Sequence, residues 1–134
     1  MGVVSGDCLL DTHALLWALT DPARLGAAAH ALVADSRVRL HVSAASGWEL
    51  STKSRLGKLA GAAVVLDGLD RHLARLGARP LDISLQHALL AGRLDWDHRD
   101  PFDRMLAAQS MIESMPLVSK DPAFHEVAGV RVVW

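Results

Sequence analysis

Short apolar runs alternate along the chain with longer helix-patterned stretches, and this alternation narrows the possible folds more than any other feature. Residues 8–11 read as a buried strand, and residues 13–19 as a helix stopped by Asp21-Pro22. An Ala-rich helix is expected over 26–34 and a second strand over 38–42, with Ser43 placed to cap a helix that covers 46–55. Residues 64–76 read as one amphipathic helix, with Val65, Leu66, Leu69, Leu73 and Leu76 on one face. A third strand is expected over 81–83, then a helix over 84–94 and a polar loop over 95–100. Pro101 suits the first turn of a helix that runs to about 114. A strand at 117–119, a helical stub after Asp121-Pro122 and a strand at 130–133 complete the chain. About five short strands with helices between them imply an α/β fold whose mostly parallel sheet is covered on both faces. At 134 residues, without repeats or a linker, one domain spanning 1–134 is expected.

Composition limits the functional classes. An apolar fraction of 51% excludes disorder, and no apolar run reaches the roughly 18 residues of a membrane span. The 14 basic and 15 acidic side chains leave a net charge of −1, so a polyanionic partner has to be argued from a local site. Residues 1–10 carry no basic start or cleavage signal, so export is not expected. The single cysteine, Cys8, excludes an internal disulfide framework and suits a reducing cytoplasm.

The informative pattern is where the acids fall. Asp11 ends the first expected strand, and Asp121 lies just beyond the fourth. Asp103 is in the first turn of the helix opened by Asp100-Pro101, and Glu49 is early in the helix after the second strand. In an open parallel sheet, strand ends and helix starts share the edge where ligand crevices form. Each acid also has an ordinary explanation: a helix cap for Asp11, a capping box with Ser46 or a pair with Lys53 for Glu49, a dipole partner for Asp103, a turn for Asp121. Together they say more. Two carboxylates about 4 Å apart repel by about 4 kcal/mol at an effective dielectric near 20, a large fraction of a domain's stability of roughly 5–15 kcal/mol. Like charges in one crevice should therefore raise at least one carboxyl pKa, and a hard cation, Mg²⁺ or Mn²⁺, would suit the all-oxygen set.

Other chemistry is weakly signalled. The seven histidines show no zinc-type spacing, and surface or core roles are expected for His13, His98 and His125. There is no phosphate-binding glycine loop and no nucleophile elbow. Leu15, Leu16, Trp17 and the Val65–Leu69–Leu73 stripe offer more apolar surface than one small core needs.

Four segments carry a family resemblance: Leu9-Leu10-Asp11-Thr12, Ser43-Ala44-Ala45-Ser46-Gly47-Trp48-Glu49-Leu50, Arg99-Asp100-Pro101-Phe102-Asp103-Arg104 with Ala108-Gln109, and Leu117-Val118-Ser119-Lys120-Asp121. They resemble the motifs of PIN-domain ribonucleases, most closely the toxin subunit of VapBC-type toxin–antitoxin modules. The resemblance covers nearly the whole chain and implies a three-layer α/β/α sandwich. It implies metal-dependent endoribonuclease activity at Asp11, Glu49, Asp103 and Asp121, supported by Thr12 and Ser119. Asp11 and Asp103 would hold Mg²⁺ or Mn²⁺, with Glu49 and Asp121 engaging it directly or through water. Flanking phosphates of the RNA would meet Lys53, Arg55, Arg99 or Arg104, although Arg99 and Arg104 are also spaced to pair with Asp103 and Asp100. The implied partners are an antitoxin, docked in an apolar groove, and a second copy of the chain. Two alternatives stand beside this reading: a non-catalytic binding module on the same fold, and a receiver-like signalling domain with an acidic Mg²⁺ site.

Overall fold

The computed structural model describes residues 6–134; the first half of the segment read for an export signal lies outside them. A five-stranded, all-parallel sheet is built from β1 (Gly6–Leu10), β2 (Val38–Ser43), β3 (Ala78–Leu81), β4 (Leu117–Val118) and β5 (Val132–Val133), in the order β3-β2-β1-β4-β5. The helices are α1 (Thr12–Thr20), α2 (Ala27–Ala34), α3 (Ala44–Arg55), α4 (Ala62–Leu66), α5 (Leu69–Leu76), α6 (Leu85–Arg93) and α7 (Pro101–Glu113), with short 3₁₀ turns at Pro22–Arg24 and Pro122–Glu126.

The pleat of β1 shows why the sheet is covered twice. Cys8 and Leu10 enter one core with Leu15, Leu16, Leu40 and Val65, whereas Leu9 enters the other with Leu106, Leu117 and Phe124. The fold is an α/β/α sandwich, as expected. Strand order sets the receiver alternative aside. In that topology the third strand lies beside the first, but here β1 is flanked by β2 and β4.

Three expectations need correction. The helix read over 64–76 is two helices, because Gly68 takes a left-handed conformation (φ +76°) that a continuous helix does not use. The third strand lies at Ala78–Leu81 rather than 81–83; this Arg-Pro-containing segment is an edge, held by pairing with β2 rather than by apolar periodicity. The apolar surplus is placed elsewhere. Leu15, Leu16, Val65 and Leu73 are buried in the core, while Trp48, Val64, Leu85 and Leu89 are exposed.

Candidate active site

Three helix starts and the second turn of a fourth helix aim acids at one edge of the sheet. Asp11 follows β1 and caps α1, its Oδ1 accepting from the Ala14 N–H at 2.7 Å. Asp100 caps α7 by accepting from the N–H groups of Phe102 and Asp103, and Pro101 occupies the first turn. Asp103 is thereby held in that first turn. Asp121 follows β4 and caps the next 3₁₀ turn through the Ala123 N–H. Glu49 projects from α3 and is only 4% exposed. Asp11, Glu49, Asp103 and Asp121 all line a cleft of about 480 Å³, joined there by Asp100.

Hydroxyls and cations organise these carboxylates. Thr12 Oγ1 donates to Glu49 Oε1 at 2.5 Å and shares a 3.0 Å hydrogen bond with Ser46 Oγ. Lys53 Nζ pairs with Glu49 Oε2. Buried Ser119 accepts from the Asp121 N–H at 3.1 Å and lies close enough to Asp11 to favour its ionised form. His98 Nε2 lies 2.7 Å from Asp103 Oδ2.

The electrostatics follow from burial. Asp11 is pushed up to about 6, chiefly by burial; Ser119 and the bond from the Ala14 N–H oppose this, and the charges of Glu49 and Asp121 add to it. Asp103 also rises to about 6, chiefly by burial; His98 opposes the rise, and Asp100 and Glu49 add to it. A raised carboxyl pKa was expected from mutual repulsion, yet loss of water is the larger cause. Burial pulls the Lys53 pKa down, but the bond and charge of Glu49, together with Asp100 and Asp103, leave it raised overall.

The basic residues divide. Lys53 faces the cleft, whereas Arg55 and Arg99 are exposed and do not line it. Among the described residues, Arg99 forms no ion pair with Asp103, nor Arg104 with Asp100. Arg104 has a different task from the phosphate contact expected of it. Its guanidinium donates to the carbonyls of Ala91, Gly92, Leu94, Trp96 and His98, occupying all of its N–H donors.

His98 does more than the surface or core role its sequence context suggests, since it meets Asp103. Its link to Asp103 crosses a loop, so no helix or strand period announces it. Lys120, His13 and Trp17 also line the cleft, with Lys120 Nζ 5.8 Å from the Trp17 ring.

In kind, the all-oxygen donor set fits a hard divalent ion. In spacing, no three His, Cys, Asp or Glu side chains among the described residues converge to hold one. Glu49 and Asp103 each engage an internal partner, Lys53 and His98. Each of these carboxylates keeps further lone pairs for an ion beside the partner it already holds.

Comparison with known proteins places this geometry in context. The family model of the PIN domain matches residues 8–130. Solved structures of similar fold include VapBC2 from Rickettsia felis bound to a DNA fragment from their promoter (TM-score 0.69, 16% identity, 95% of this chain and 97% of that one). DNA-bound VapBC from Salmonella typhimurium gives a TM-score of 0.67 at 18% identity over 98% of both chains. FitAcB from Neisseria gonorrhoeae gives 0.64 at 19% identity over 95% and 96%. No curated protein matches the chain by sequence.

Proposed function

This chain belongs to the PIN domain family, and on that footing we propose that it is a metal-dependent endoribonuclease acting as the toxin of a toxin–antitoxin pair. The observation that carries the reading is the convergence of Asp11, Glu49, Asp103 and Asp121, from four separate parts of the sequence, on one cleft. The similar structures from Rickettsia felis and Salmonella typhimurium are both VapBC assemblies, which supports an antitoxin partner here. A homodimer and a cytoplasmic location complete the proposal; no helix among the described residues is long and apolar enough to cross a membrane.

Mg²⁺ or Mn²⁺, held by Asp11 and Asp103 with Glu49 and Asp121 directly or through water, would supply charge at the phosphate and a more acidic water. The chain's own residues do the rest. The Ala14 N–H fixes Asp11, and Thr12 fixes Glu49 by one oxygen while Lys53 holds the other. On entry of a phosphodiester, the Lys53 ammonium exchanges Glu49 for a phosphate oxygen, and Arg55 and Arg99 meet the flanking backbone. Hydrolysis leaves a 5′-phosphate and a 3′-hydroxyl.

The test is RNA cleavage by purified protein with Mg²⁺, beside Asp11→Asn. Cleavage that is lost in EDTA and in the variant is expected; cleavage undiminished in excess EDTA would refute the metal requirement. A wild type that binds RNA without cutting it would favour the non-catalytic module.

A further inference from the structure

The geometry points to His98 as a positioning residue that sets the orientation of the Asp103 carboxylate from behind the cleft, an inference that rests on the proposed nuclease reading. An ionised Asp103 only accepts hydrogen bonds, so His98 Nε2 carries the proton in their 2.7 Å contact. His98 does not line the cleft. It engages Oδ2, and Oδ1 has no hydrogen-bond partner among the described residues. One oxygen is thus tethered and the other left for the site.

The imidazole is itself fixed. It stacks on Trp96, with ring centroids 4.7 Å apart and planes 28° apart. Trp96 is nearly buried, contacts Phe124 and donates its indole N–H to Glu126 Oε1 at 3.2 Å. Arg104, the residue after Asp103 on α7, donates from one guanidinium nitrogen to the carbonyls of both Trp96 and His98. The helix turn that carries Asp103 therefore anchors the loop that carries His98, and His98 closes the circuit onto the carboxylate. Because Arg104 holds the loop backbone independently of the imidazole, the ring can be removed while the loop's main anchor remains. That separates a positioning role from a structural one.

Outer partners of a ligating carboxylate typically change metal affinity by about 10- to 100-fold when removed. The probe is Mn²⁺ alone, titrated into the full chain by calorimetry or electron paramagnetic resonance, with kcat and KM on RNA measured in parallel. His98→Ala should bind Mn²⁺ about tenfold or more weakly and lose kcat more than KM. His98→Gln, whose amide N–H can reach as far as Nε2, should recover most of both. Melting in EDTA reports any change in folding separately. His98→Ala binding Mn²⁺ and cutting RNA like the wild type would overturn the inference and leave the nuclease reading intact. Equal losses in the Ala and Gln variants, tracking a lower melting temperature, would also overturn it. Wild-type protein that neither binds Mn²⁺ nor cuts RNA would refute the nuclease reading, and the role of His98 with it.

Discussion

At the scale of single residues, Asp11 and Asp103 work against folding at neutral pH. Each carboxyl is raised to about 6 in the folded protein against 3.8 outside it, so the folded state holds its proton more tightly. Stability falls as pH rises from about 4 to about 6 and stays lower above that. The full shift at Asp11 corresponds to about 3 kcal/mol. Asp11→Asn keeps an acceptor for the Ala14 N–H and removes the charge. In EDTA at pH 7.5 it should be more stable than wild type by about 1–3 kcal/mol, a gain that vanishes near pH 4 in denaturant titrations. Asp103→Asn loses part of its bond to His98, so it should melt no lower than wild type under those conditions; a clearly lower value would make Asp103 a helix acid only. Asp11, Asp103 and Asp121 were legible in the sequence because each stands at a strand end or helix start, where type and position coincide. Glu49, in the second turn of α3, was carried by its place after the second strand and by the motif around it. His98 was not legible, because its partner is reached through a loop whose path is set by Arg104.

Among the elements, two glycines in helical patterns have opposite meanings. Gly68 separates α4 from α5 at φ +76°, whereas Gly47 lies within α3 and a Cβ added there meets nothing within 4 Å. Gly68→Ala should destabilise by about 1 kcal/mol, and Gly47→Ala should stabilise by about 0.5–1 kcal/mol, both readable by chemical denaturation. From sequence both are glycines amid helix formers. Only the backbone angle tells them apart, which is why 64–76 read as one helix. The third strand was misplaced for a related reason: an edge strand containing Pro80 owes its existence to β2, and a partner strand is not a local signal. Arg104 shows the same limit. Its spacing to Asp100 suggests an ion pair, but a loop of carbonyls satisfies it instead. Arg104→Ala should cost about 2–4 kcal/mol and speed amide exchange across 94–100, because several carbonyls lose a charged donor.

For the molecule as a whole, strand order decides where the chemistry can sit. The chain leaves β1 for β2 on one side and reaches β4 on the other, and the crevice opens at the carboxyl edge between them. A divalent ion that binds the folded state there adds stability by mass action, so Mg²⁺ should raise the melting temperature of the wild type more than that of Asp103→Asn. The same order has a consequence in time. β1 pairs with β2 through Cys8↔Leu40 but with β4 through Leu9↔Leu117, so its second edge waits for a segment made much later. A ribosome adding about 5–20 residues per second delivers Asp11 and Glu49 several seconds before Asp121, and Asp103 about 1–4 s before it. The acidic crevice is therefore completed only late in synthesis, and a chain still emerging from the ribosome, before Ser119 and Asp121 join Asp11, lacks one of its four carboxylates.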